Sequence, residues 1–560
     1  MENQRFFLYA SLIVVLYLLW SSWQQYTVPA AVEISTQQPA LEADSNLSSG
    51  PTAAQQDVPL AIDSSALQPK QATETQATRA VQNEYITVST DVFEIAINTR
   101  GGDIHRAQLI NYPQQLDTPD QALILLDDVK KTYITQSGLV HDPVTNKDVR
   151  ALAPTHYNLY QAPQSQYVMS DGEDELLVPL TWQNEQGIQV SKQFRFKRGE
   201  YLINVDYTLT NNSNDDWQGR QYRQLRHSYV NGERNLLSLP TYTGAAYYNE
   251  KYEKLSFDKM RKEPLEELVS GGWTAMLQHY FFSAWLAQEF EKNDFYSRIV
   301  QNVVGNDYII GMRSEPARIG LGESYTFQNR LFVGPKLQKT IEQIQPGLEL
   351  TTDYGMFTPL CKPLFWLLDF INKGVHNWGL AIILVTLLIK LVFYRLSASS
   401  YKSMARMRKV QPKMMTLRER YADDKQKLNQ AMWDLYKKEE INPLGGCLPI
   451  LIQMPVFLSL YWVLIESVEM RHAPFVFWIQ DLSSKDPLFI LPLLMGISMF
   501  VQFKLNPKPT DPVQEKVFLI MPVFMMAFMA FFPAGLVLYW FVNNLLSIGQ
   551  QWYITKRYAD

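Results

Sequence analysis

The C-terminal third of the chain is cut into apolar runs of about the length needed to cross a bilayer, and this constrains the fold more than any other feature. Five candidate spans lie at about 378–397, 444–465, 488–503, 517–532 and 535–549. A further run, Phe6 to Trp23, is long enough to span, with aromatics at its edges. It reads as an uncleaved anchor rather than a cleaved signal peptide, because a signal core is usually roughly 7–15 residues and no clear Ala-x-Ala site follows. Backbone groups in lipid must be satisfied within the segment, so these runs are expected to be helices. The expected membrane part is an α-helical bundle of six spans, five of them forming a C-terminal core.

The rest of the chain is polar. From Val28 to about Arg79 it is rich in Ala, Gln, Ser, Thr and Pro with few aromatics, a composition expected to give a flexible tether. From about Glu84 to Gln343 short alternating runs are separated by turn signals. Examples are Val92-Phe93-Glu94-Ile95-Ala96-Ile97 before Gly101-Gly102-Asp103, and the run Leu202 to Thr210 before Asn211-Asn212. This predicts a large all-β sandwich without internal repeats. Between Phe357 and Ile371 apolar residues fall at helical spacing, predicting an amphipathic helix that lies flat in the interface or packs into the sandwich. The resulting divisions are an anchor at 1–25, a tether at 26–80, a β domain at 81–345, the interfacial helix at 346–376 and the five-span core at 377–560.

Charge sets the expected topology. The loop 398–441 carries 11 basic residues, among them Arg406, Arg408, Lys409, Lys413 and Arg418, whereas 466–487 carries only Arg471 and Lys485. The positive-inside rule then places 398–441 in the cytoplasm, both termini with it, and the β domain outside, in the periplasm of a two-membrane bacterium. Within that loop Met407, Val410, Met414, Leu417 and Tyr421 follow helical spacing, and Leu428, Met432 and Leu435 continue it after a turn. They predict an antiparallel helical hairpin, kinked at Pro412. Its basic face meets lipid headgroups or ribosomal RNA, or is simply solvated.

Lys390 is the only ionised residue in the interior of any of the five later spans, Arg395 standing at the edge of the first, and a charge at that depth marks a functional interior unless it snorkels to the edge. Thr386 and Tyr394, four residues to either side, are expected on the same helix face. Matching polar faces are Gln453 in the next span, Ser498 and Gln502 in the one after, and Tyr539, Asn543 and Ser547 in the last. Helix-to-helix bonding explains each alone; together with Lys390 they suggest a wet groove open to the cytoplasm. None of these spans contains Asp or Glu, which argues against ion-coupled transport. The spans at 488–503 and 517–532, of about 16 residues each, reach roughly 24 Å and are expected to thin the bilayer.

Other chemistry is missing. Net charge is −5, which disfavours DNA and other polyanions as partners. Two cysteines exclude a disulfide framework, and no phosphate loop, metalloprotease helix or nucleophile elbow occurs. No cofactor, metal or catalytic residue is expected. Two other readings remain, a polytopic transporter with a sugar-binding-like outer domain and an envelope enzyme working on carbohydrate.

Several long motifs resemble the YidC/Oxa/Alb family of membrane protein insertases in its six-span Gram-negative form. They are Asn377-Trp378-Gly379 leading to Thr386 and Lys390; Tyr401 to Met407; Asn442 to Pro449 with Gln453-Met454-Pro455; and Phe532 to Trp540. Outside the membrane, Gly244 to Tyr247, Lys251 to Lys254 and Gly271 to Met276 resemble the family's periplasmic domain. The resemblance implies a β-supersandwich similar to mutarotase-like folds, without sugar chemistry. It implies an insertase and chaperone that places proteins in the inner membrane, alone or beside the Sec translocon, without nucleotide. Its partners would be nascent membrane proteins, ribosomes and targeting factors, and lipids. Lys390 stands where the family commonly has Arg, keeping the charge but losing the bidentate fork. Thr386 and Trp540, the latter where Tyr is frequent, would be the pair along which substrate slides. Some members carry a basic tail that docks ribosomes; with Lys556-Arg557-Tyr558-Ala559-Asp560 at this end, docking is expected to rest on the hairpin and the 504–516 loop.

Overall fold

The structure is a computed structural model that describes residues 57–59, 85–142, 152–229, 241–302, 305–421, 424–439, 448–506 and 512–559. The expected anchor lies outside the described residues, as does the tether apart from Asp57-Val58-Pro59. Those three do not hang free: Asp57 is 1% exposed against the β domain.

The strands from Tyr85 to Pro335 form sheets of five, six and nine strands that share one apolar core. Alternation explains the sandwich. In Leu202–Asn211 the residues Ile203, Val205, Tyr207 and Leu209 are buried while their neighbours are not, and this strand pairs antiparallel with Ile188–Lys197 from Ile188↔Asn211 to Phe196↔Ile203. Trp273–Leu277 and Phe281–Leu286 are buried along their whole length, so the nine-stranded sheet is covered on both faces there. Two short helices complete this part, α1 (Phe257–Lys262) and α2 (Gln338–Ile344).

The C-terminal part is helical: α3 (Thr358–Val375), α4 (Trp378–Val392), α5 (Tyr394–Arg420), α6 (Lys425–Lys438), α7 (Leu448–Glu466), α8 (Ile490–Leu505), α9 (Pro512–Met529) and α10 (Ala534–Ala559). Helix α3 packs Cys361, Phe365 and Leu368 into the bundle core with Ile382, Leu460 and Leu464, not into the sandwich. Its other side leaves Leu360, Trp366 and Phe370 exposed. That double apolar face fits a helix wedged between the bundle and a greasy medium.

No single helix among the described residues is long and apolar enough to cross a membrane; α4 and α5 together are, but they meet at 68°. The run expected to be one span at 378–397 is therefore broken. Helix α4 stops at Val392 and α5 starts at Tyr394, with Phe393 between them at φ −88° and ψ 10°. From Arg395 the sequence turns basic, and a helix continuing along the axis of α4 would carry those charges onward with it. Helix α5 then runs through Pro412 as one element of 27 residues. Val410 and Met414 pack with Met407 and with Met432, Leu435 and Tyr436 of α6, and Lys413 pairs with Glu439 at 2.7 Å, so the two helices run antiparallel.

The end of α7 and the segment 466–489 tie the two parts together. Val468 enters the β core, Arg471 donates to the carbonyls of Pro113 and Gln114, and His279 bonds the carbonyl of Ile465 at 2.8 Å.

Candidate functional site: a lysine among three helices

Each motif around Lys390 has a local physical task. Asn377 caps α4 by accepting from the backbone N–H of Leu380, and its amide donates to the carbonyl of Phe475. Gly379 lets the Phe475 ring lie against the first turn: a Cβ there would meet that ring at 2.0 Å. At the start of α10 the amides of Ala534 and Gly535 bond the carbonyls of Ser484 and Leu482. The segment 466–489 thus clamps the N-terminal ends of α4 and α10 and fixes their facing sides.

Further along the facing sides of these helices polar side chains meet. The ammonium of Lys390 on α4 donates to Ser547 Oγ of α10 at 2.7 Å and to Gln453 Oε1 of α7 at 3.4 Å. Gln453 in turn donates to the Tyr539 hydroxyl on α10. Ser547 passes its own hydrogen to the carbonyl of Asn543, and the Oδ1 of Asn543 is buried without a partner. Three helices therefore converge on one cation, and no carboxylate lies within ion-pairing distance of it among the described residues. Two acceptors leave an ammonium with three donors incompletely satisfied.

The other expected residues divide. Thr386 is buried, and its hydroxyl is spent on the carbonyl of Ile382 one turn back. Trp540 is half-buried and meets Phe457 edge to face at 4.6 Å. Ser498 belongs to a second cluster, where Asn544 donates to it at 3.2 Å. Gln502 is half-buried on α8 with no side-chain hydrogen bond among the described residues. Tyr394 does not share the face of Thr386 and Lys390: it lies past the bend on α5 and is 42% exposed. Arg406, Arg408, Lys409, Lys413 and Arg418 all lie on α5 in the hairpin.

Sequence reading missed Asn544 and Gln551, which tie α10 to α8 and to the carbonyl of Leu505 and side chain of Asn506 just beyond. Their spacing of seven places them on one face of α10 and was the available signal.

Comparison with known proteins agrees over the whole chain. Residues 85–367 match the family model described as YidC periplasmic domain, and residues 370–560 match that of the 60Kd inner membrane protein. The membrane protein insertase YidC of Thioalkalivibrio sulfidiphilus is 53% identical over 99% of this chain and 98% of its own length. That of Methylococcus capsulatus is 45% identical over 100% and 98%. A crystal structure titled as an active YidC insertase aligns over 85% of this chain and 93% of its own, at 16% identity and a TM-score of 0.38. With two family models end to end and relatives of this identity over nearly full length, the chain belongs to the YidC family of membrane protein insertases.

Proposed function

We propose that insertion by this chain runs through the cluster around Lys390. The observation that carries it is the ammonium held by one hydroxyl and one amide from two other helices, with no carboxylate within ion-pairing distance among the described residues. A cation kept in place but not neutralised attracts the polar or acidic flank of an entering segment. The apolar part then leaves sideways into lipid along α4 and α10, driven by its own burial. No nucleotide, metal or other cofactor is required.

The reading places the bundle in a bacterial inner membrane as six spans, with both termini in the cytoplasm and the β domain in the periplasm. The α5–α6 hairpin receives nascent chains, with ribosomes and targeting factors, through Arg406, Arg408, Lys409, Lys413 and Arg418. Thr386, Gln453, Ser498, Gln502, Tyr539, Trp540 and Asn543 line or support the route, and the Sec translocon is a partner for larger clients. The short helices α4 and α8, of 15 and 16 residues, favour a locally thinned bilayer.

The test is insertion of a two-span precursor with an acidic translocated loop into liposomes holding only this protein. Wild type is expected to insert without nucleotide, Lys390→Ala to insert less, and Lys390→Glu least. Equal insertion by all three removes the charge from the mechanism.

A further inference from the structure

The β domain holds a fragment of the chain's own tether in a built pocket. The Asp57 carboxylate accepts from Arg226 Nη1 at 2.9 Å and from the Tyr157 hydroxyl, and His156 Nε2 stands 3.3 Å away. Two further donors read the backbone: Gln224 reaches the carbonyl of Asp57 at 3.2 Å, and Arg298 that of Val58 at 3.3 Å. Pro59 is buried, and Asp57 and the His156 side chain are at most 2% exposed. The cationic wall is itself braced, because Arg226 also donates through Nε and Nη2 to Asp307.

These contacts sort by type as in a peptide-recognition site: charge-assisted bonds to one side chain, amide and guanidinium bonds to the main chain, and a covered proline. A low-complexity tether has no packing reason to bury an acid at this one point. Between Ala53 and Ile62 Asp57 is the only charged residue, and Asp63 is the next one along the chain. We infer that the β domain is a receptor for a short acidic peptide of the form Asp-Xaa-Pro, filled in cis by Asp57-Val58-Pro59. The tether then serves as an intramolecular ligand that an acidic Xaa-Pro segment of another chain displaces. Attachment gives the cis ligand a millimolar effective concentration, so wild type resists displacement.

The experiment uses the full chain and a fluorescein-labelled peptide with the sequence of residues 54–62, followed by anisotropy. The Asp57→Ala chain is expected to bind this peptide at least tenfold more tightly than wild type. A peptide with Asn in place of Asp, and the peptide on an Asp57→Ala/Arg226→Gln chain, are both expected to bind at least tenfold more weakly than the matched pair. Asp57→Asn, which keeps the shape of the cis ligand but removes its charge, is expected to bind the peptide more tightly than wild type and less tightly than Asp57→Ala, and thermal melting confirms that each variant is folded. Equal binding to wild type and to both Asp57 variants, or no binding to any folded variant, overturns the receptor and leaves a fixed structural anchor. Binding that ignores the Asp-to-Asn change in the peptide also overturns it.

Discussion

Each half of the molecule draws a lysine inward, Lys192 fully buried in the β domain and Lys390 half-buried in the bundle, and the two are treated differently. In the β domain Lys192 Nζ, with its side chain 1% exposed, touches Asp103 at 2.9 Å, the carbonyl of Gly101 at 3.0 Å and Ser137 at 3.1 Å, and sits about 5 Å over the rings of Phe194 and Tyr207. Burial pulls both Lys192 and Asp103 toward their neutral forms, and the ion pair between them opposes it. In the bundle Lys390 has a hydroxyl and an amide. A saturated charge holds strands in place, whereas an unsaturated one keeps binding capacity for something that arrives.

The contrast breaks first at Lys192. Lys192→Ala leaves Asp103 buried and unpaired, and is expected to lower the stability of the β domain by about 3–5 kcal/mol, read as a large drop in melting temperature. Replacing both partners by apolar residues is expected to recover most of that loss. Gly379→Ala comes next: its Cβ collides with the Phe475 ring that clamps α4, and a cost of about 1–3 kcal/mol is expected, with the bundle melting earlier.

Protonation of histidine sharpens the comparison, at the joint between the halves for His279 and inside the β domain for His227. Burial lowers His279, bonded to Ile465, and His227 to about 4. A depressed value means that their contribution is complete above the unfolded value of 6.5 and declines as pH falls toward 4. Melting of the full chain at pH 5 is expected to show a loss on the order of 1–2 kcal/mol for each. His279→Gln, which retains a donor, should flatten its share of the profile. The smallest stability effect belongs to Lys390→Ala, within about 1 kcal/mol, because the lost bonds are offset by release of a partly desolvated charge. A melting loss as large as that of Lys192→Ala would mean that both lysines are structural.

Much of this was legible in the sequence for physical reasons. Strand alternation with a period of two marks Leu202–Asn211 directly, because one face must be dry. Spacing by four placed Tyr539, Asn543 and Ser547 on one side of α10, and contact with Lys390 and Gln453 followed for Ser547 and Tyr539. The bend at Phe393 was not legible: apolar and basic residues grade into one another there without a proline or glycine. Nor was the pocket for Asp57, whose donors come from residues separated from it by about 100 to 240 positions.

The bend has a mechanical consequence. Helix α5, with 27 residues, is about 40 Å long, and the bend that would be its pivot lies at Phe393, three residues after Lys390. A rotation of about 5° at that pivot swings the far end of such an arm by about 3–4 Å. The hairpin has the geometry of a long lever with Lys390 near its fulcrum: a load on the distal tip would act as torque close to the ammonium, and a small repacking there would carry the tip through a distance comparable to a side chain.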